Sequence, residues 1–113
     1  MHKLFPKKHD PRILVHWPAT IKTPKGAIGG RTKDISVDGV FIFCPEEPKI
    51  EKDFPVVFEP VGERLIAVYG AKVWSSNFNI DDRTVFGMGI RFTVMSPEDR
   101  QFIATLVEKE RDG

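Results

Sequence analysis

The sequence has no long apolar run and only one cysteine. No apolar run approaches the ~20 residues that a helix needs to cross a bilayer, so we expect no membrane insertion. The basic N-terminus has no apolar stretch behind it, so we expect that it is not a signal peptide. Cys44 cannot form a disulfide within the chain, and this agrees with a reducing, cytoplasmic location. Because it follows an apolar run at 40–43, we predict a buried, unreactive thiol.

The patterns of common enzyme sites are also missing. The three histidines, His2, His9 and His16, are widely spaced, with no cysteine or carboxylate at metal-ligand spacing, so we expect no metal and no cofactor. Ser36 is not part of a Gly-x-Ser-x-Gly motif, and no phosphate-binding P-loop occurs. The adjacent acids Asp81 and Asp82 are more typical of a turn than of an acid–base pair. We therefore predict a protein that is not an enzyme.

The net charge of +1 conceals an uneven distribution. Residues 1–33 hold eight basic side chains and one acidic side chain, whereas the other 80 residues hold nine basic and 15 acidic ones. A basic segment on a near-neutral protein indicates a local site for an anion or a surface for an anionic partner. A basic tail that is merely solvated is the alternative.

Short β-type runs, separated by glycine, proline, asparagine and aspartate, make up most of the chain. They predict about six strands, and Gly87 and Gly89 permit strong curvature or close approach of another backbone. We expect an all-β dominated domain, with the strands closed or half-closed into a barrel. The predicted strands cover residues 12–22, 26–35, 40–44, 54–59, 64–74 and 84–92, with a polar loop tip at 77–83.

A change to helical periodicity follows at the C-terminus. Ser96 and Pro97 are typical of an N-cap and a first helical position, and Phe102, Ile103, Leu106 and Val107 form one apolar stripe. We predict a helix over about 96–110 that covers one opening of the barrel or is shared with another subunit. The domain boundaries are then a basic, flexible segment at 1–11 and a barrel with its helix at 12–113.

Two segments carry the strongest functional signal. The first places Lys8 and Arg12 immediately before a strand, and the second is a turn with the pattern Asp34-x-Ser36-x-x-Gly39. Aspartate and serine can hydrogen-bond nearby backbone amides, and glycine can adopt a positive φ. In isolation the second pattern favours turn chemistry alone. Next to a basic segment, it predicts a site for a phosphate-bearing ligand.

Together these segments resemble the PilZ domain family, which has Arg-x-x-x-Arg before its first strand and (Asp/Asn)-x-Ser-x-x-Gly about twenty residues later. The second motif is complete here. Residues 87–92, followed by 96–100, are similar to the family's last strand and helix entry, and Trp74 stands where the family often has an aromatic residue. The resemblance covers roughly residues 8–110.

The resemblance implies a six-stranded antiparallel β-barrel with a C-terminal α-helix that binds cyclic di-GMP, a bacterial second messenger. Arg12 would bind phosphate or guanine, Asp34 would accept guanine N–H groups, Ser36 would bind guanine or phosphate, and Gly39 would allow close approach. It also implies a segment before the barrel that the ligand orders, and a stand-alone member signals through an unidentified effector protein. The first motif arginine is Lys8 here, which keeps the charge but loses the planar fork, so we predict weaker binding.

Two alternatives stay open. A degenerate PilZ domain would bind no nucleotide and act only through protein contacts, and Lys8 favours this reading. A barrel that binds nucleic acid would need exposed aromatic residues among its basic ones, and Phe5 and Trp17 are the only candidates. Nucleic acid is therefore the disfavoured partner.

Overall fold

The computed structural model describes residues 11–50, 52–62 and 65–112. These residues form seven antiparallel strands and one helix. In chain order the elements are β1 (Ile13–Leu14), β2 (Pro18–Thr23), β3 (Gly26–Ile35), β4 (Gly39–Cys44), β5 (Phe54–Phe58), β6 (Ile66–Ile80), β7 (Arg83–Val94) and α1 (Pro97–Asp112).

Six of the strands close into a barrel. Their order around the barrel is β3, β2, β5, β6, β7 and β4, and β4 pairs with β3 to complete the ring. The two-residue strand β1 lies outside this ring and pairs with the end of β3. The predicted six-stranded antiparallel barrel is confirmed, and β1 is one short strand more than the sequence indicated.

Alternation along each strand places one set of side chains in the barrel interior. In β5, Phe54, Val56 and Phe58 are buried while the residues between them are half-buried, as expected for a strand with one face on the core. Trp17 is also buried and belongs to this core. It is therefore not an exposed platform on which a base could stack.

The helix α1 packs against the barrel core. The Ser96 hydroxyl accepts a hydrogen bond from the Asp99 amide at 3.1 Å, so Ser96 caps the first turn. Ile103 and Val107 are buried in the core, and the Phe102 ring lies 6.5 Å from the ring of Trp17. The apolar stripe predicted from the sequence thus covers the barrel. No helix among the residues described is long and apolar enough to span a bilayer.

Two predicted strand boundaries are wrong. The predicted first strand is divided into β1 and β2, because residues 15–17 between them are not in regular strand pairing with β3. The predicted loop tip at 77–83 is mostly strand: β6 continues to Ile80, and only Asp81 and Asp82, both with positive φ, form the turn. Cross-strand pairing with β7 sustains this polar stretch as strand although its own composition indicates a loop.

Candidate functional site

Arg12 and Asp34 meet where β1 pairs with the end of β3. Ile13 pairs with Ile35 and Leu14 with Asp34, so Arg12 emerges beside the Asp34-to-Gly39 turn. Its Nη2 lies 2.6 Å from Asp34 Oδ1, and its Nε donates a hydrogen bond to the same oxygen at 2.7 Å. The structure thus brings together two residues that the sequence places 22 positions apart.

Ser36 holds the turn in place from inside. The residue is buried, and its Oγ accepts hydrogen bonds from the amides of Asp38 at 3.1 Å and Gly39 at 3.3 Å. Arg12 Nη1 also donates to this oxygen, at 3.4 Å. Ser36 therefore shapes the loop and orients Arg12, and it does not line the groove described below.

Gly39 is required by the packing of two strands. A Cβ at this position would lie 2.3 Å from the carbonyl oxygen of Ile90 in β7. The expected positive φ is wrong, because among the residues described only Gly26 and Gly62 are glycines in that conformation. The resemblance implied close approach of a ligand or of backbone at this residue, and the structure shows the backbone of β7 there. Lys8 lies outside the described residues.

A β-bulge explains why Asp34 faces outward. Thr32 pairs with Ile42 and Asp34 with Phe41, so Lys33 is an extra residue in β3. The extra residue shifts the alternation, so that Thr32 faces the core while both Lys33 and Asp34 turn to the outer face. Lys33 Nζ lies 3.3 Å from Asp34 Oδ2. The Asp34 carboxylate is thus flanked by two cations.

An aromatic wall lies opposite these charges, on the outer face of β4, β7 and β6. Phe41 pairs with Gly89, and Gly89 pairs with Trp74 across the next ladder. The Trp74 indole covers Gly89, where a Cβ would come within 2.5 Å of Trp74 Nε1, and it stacks on Phe41 with ring centroids 5.1 Å apart. Trp74 remains half exposed, so its other face is free to meet a ligand. Gly89 thus admits an aromatic side chain, where the sequence suggested another backbone.

Charges and aromatic rings together enclose a groove of about 720 Å³, which we call the motif groove. Its lining is Arg12, Lys33, Asp34, Asp38, Gly39, Val40, Phe41, Val73, Trp74, Phe78, Gly89, Ile90 and Arg91. Three cations, two carboxylates and three aromatic rings suit a ligand with both phosphate groups and flat bases. Sequence reasoning missed Lys33 and Arg91 and named Trp74 only through the resemblance. The signal for Trp74 was available in the Gly-x-Gly of the neighbouring strand.

The part of the chain that the structure describes contains no cluster of side chains suited to a metal ion. Within it, no group of three or more histidine, cysteine, aspartate or glutamate side chains is placed to hold an ion. The predicted buried thiol is confirmed, since Cys44 is 2% exposed. Burial raises the pKa of this thiol to about 11.

A family model described as the PilZ domain matches residues 6–109. The chain belongs to the PilZ domain family. A comparison with curated proteins found no match.

Solved PilZ structures have the same fold. The chain is similar to the PilZ domain of Escherichia coli YcgR with c-di-GMP, at 14% identity and a TM-score of 0.74, covering 95% of this chain and 94% of that one. It is also similar to the K. pneumonia MrkH–c-di-GMP complex, at 16% identity and a TM-score of 0.74, covering 97% of this chain and 57% of that one. Bacillus subtilis MotI/DgrA, an inhibitor of motility, matches at 14% identity and a TM-score of 0.76, covering 96% of this chain and 53% of that one. The chain thus spans about half of the two longer proteins, and identities this low establish the fold only.

Proposed function

We propose that this PilZ domain is a receptor for cyclic di-GMP that binds the dinucleotide in the motif groove and signals to a partner protein. The observation that carries the proposal is the position of the Arg12–Asp34 pair at a groove walled by Trp74 and Phe41. Family membership supports it, as do the YcgR and MrkH structures, whose ligand is c-di-GMP. Binding of a messenger and transmission to a partner require no catalytic group, so we propose no enzymatic activity.

Each groove residue has a role that its chemistry supports. The Arg12 guanidinium binds a phosphate or the guanine edge with two parallel N–H groups, and Asp34 accepts hydrogen bonds from guanine N–H donors. A base stacks on the free face of Trp74. Ser36 acts as a positioning residue, because its hydroxyl orients Arg12 and the loop.

The ligand must compete with an internal ion pair before Arg12 can bind it. The Arg12 side chain is 41% exposed, and an ion pair whose cation is hydrated contributes little to stability, ~0–1 kcal/mol. Asp34 is 17% exposed and keeps Lys33 as a second cation when Arg12 turns to the phosphate. Exchange of this contact for a phosphate therefore costs little. The carboxylate keeps Arg12 oriented while the groove is empty. We further propose that ligand binding orders the N-terminal segment that contains Lys8.

Titration calorimetry with cyclic di-GMP tests the proposal. Arg12→Ala should weaken binding by roughly ten- to a hundredfold, because it removes one bidentate contact. Trp74→Ala should also weaken binding, by ~1–3 kcal/mol, whereas Trp74→Phe should keep most of the stacking. Lys8→Arg should tighten binding. Lys25→Ala removes an equal charge from the exposed β2–β3 turn and serves as the control.

The alternative of a degenerate domain makes a clear contrary prediction. If folded wild-type protein gives no heat at high micromolar ligand, the receptor proposal fails and a role through protein contacts alone is favoured. Equal weakening by Arg12→Ala and Lys25→Ala would show that only general charge, and not the motif groove, attracts the dinucleotide.

A further inference from the structure

A second groove lies next to the motif groove, between β3 and the tip of the β6–β7 hairpin. Its volume is about 590 Å³, and we call it the hairpin groove. Arg31, Lys33 and Arg83 line it together with His16, while Asp81 is the one carboxylate in its lining. Phe43, Ile80 and Val85 supply the apolar part. The lining therefore carries a positive net charge around an apolar floor.

The strand ladders place these cations around Phe43. Arg31 pairs with Phe43 across β3 and β4, and the bulge adds Lys33 on the outer face of β3. Pairing between β4 and β7 ends at Cys44 and Phe86, so residues 83–85 are held by β6 alone and the hairpin extends past the end of β4. This extension carries Arg83 to the far side of the groove from Arg31.

Both arginines have N–H groups to spare. Arg31 Nη1 donates to the carbonyl oxygen of His16 at 2.9 Å, which fixes its guanidinium but uses one of five donors. The Arg83 side chain makes neither an ion pair nor a hydrogen bond with any other residue that the structure describes. Guanidinium groups bind phosphate oxygens in pairs, so two arginines on opposite sides of one groove suit a phosphate-bearing ligand.

We propose that the hairpin groove is a second anion site, adjacent to the proposed cyclic di-GMP site, and that it takes the phosphate group of a small ligand such as a nucleoside diphosphate. Arg31, Lys33 and Arg83 bind the phosphates. The half-buried Phe43 and its apolar neighbours contact the base or sugar. Lys33 lines both grooves, whereas Arg31 and Arg83 line only the hairpin groove and Arg12 lines only the motif groove, so substitutions of the arginines test each site by itself.

An NMR titration of the full chain with pyrophosphate, and separately with ADP, tests this site. The largest amide shifts should fall on residues 31–33, 43 and 80–85. The double variant Arg31→Gln/Arg83→Gln should weaken pyrophosphate binding by about tenfold or more. Lys22→Gln/Lys25→Gln removes the same charge from exposed positions on β2 and its turn, and should change the affinity less than about twofold.

Further arms identify the source of the phosphate and separate the two sites. Tighter binding of ADP than of pyrophosphate supports a nucleotide, and equal binding supports an inorganic phosphate at the same groove. Pyrophosphate shifts at residues 80–85 should appear even if the cyclic di-GMP proposal fails, and Arg31→Gln/Arg83→Gln should change cyclic di-GMP affinity less than about twofold, because neither arginine lines the motif groove. Equal weakening by the two double variants, or a hexaglutamate peptide that binds as tightly as pyrophosphate, would overturn the proposal.

Discussion

Among single residues, Cys44 shows how burial changes the chemistry of a side chain. The thiol lies at the end of β4 with 2% of its surface exposed, and desolvation raises its pKa from 9.0 to about 11. The thiolate, which is the reactive form, is therefore scarce at neutral pH. The sequence predicted this outcome from the apolar run before Cys44, because a run of that kind favours a core strand.

The raised pKa makes folding stability depend on alkaline pH. A group whose pKa is higher in the folded state contributes its full stabilisation below the unfolded pKa, near 9, and loses it as the pH rises to about 11. The loss amounts to ~2–3 kcal/mol in the free energy of unfolding. Urea denaturation of the wild type and of Cys44→Ala, measured across this pH range, should show the difference between their free energies of unfolding shrink by that amount. A difference that stays constant with pH would contradict the assignment.

At the scale of elements, the contact between β4 and β7 leaves no room for a side chain at position 39. Gly39→Ala would force its Cβ against the carbonyl oxygen of Ile90, so we expect a loss of ~1–3 kcal/mol or more. Gly29→Ala is the matched control, because Gly29 lies in exposed β3 and a Cβ added there would have no atom within 4 Å. Thermal unfolding should show a lower Tm for the first variant. The second should stay within about 1 kcal/mol of wild type.

Equal melting temperatures for these two variants would show that β4 and β7 accommodate a Cβ at position 39 without loss of stability. A fall in cyclic di-GMP affinity for Gly39→Ala, with the Tm unchanged, would instead assign Gly39 to direct ligand contact. The structure favours loss of stability, since the nearest atoms to the missing Cβ belong to β7.

The sequence predicts the elements better than it predicts their registers. Alternation and turn residues located every barrel strand, although the start of β2 and the end of β6 were each misplaced by about six residues, and the serine–proline pair located the helix start. The bulges at Lys33 and Val73 were not predictable, because an extra residue in a strand is determined by its partner across the ladder. These two bulges decide that Asp34 and Trp74 face outward. The orientation of these two groove residues could therefore not be predicted from sequence patterns, whereas Arg12 and the turn could be.

At the scale of the whole molecule, the motif groove is connected to the C-terminal helix. Arg100, in the first turns of α1, donates a hydrogen bond from Nη1 to the carbonyl oxygen of Val37 at 3.2 Å. Its Nη2 lies 3.5 Å from Asp38 Oδ1, and Asp38 lines the motif groove. The turn that carries Ser36 and Gly39 is thus held between β7 and α1. Arg100 therefore links the turn beside the motif groove to the helix.

Hydrogen exchange measures this connection. On addition of cyclic di-GMP, amides at the start of α1, residues 99–104, should exchange more slowly, because an ordered turn holds Arg100 more firmly. Arg100→Ala removes both contacts with the turn and should abolish most of that gain while the dinucleotide still binds. Lys109→Ala, an exposed change on the same helix, should keep the gain. Equal protection in the two variants would show that the helix responds through the barrel core and not through Arg100.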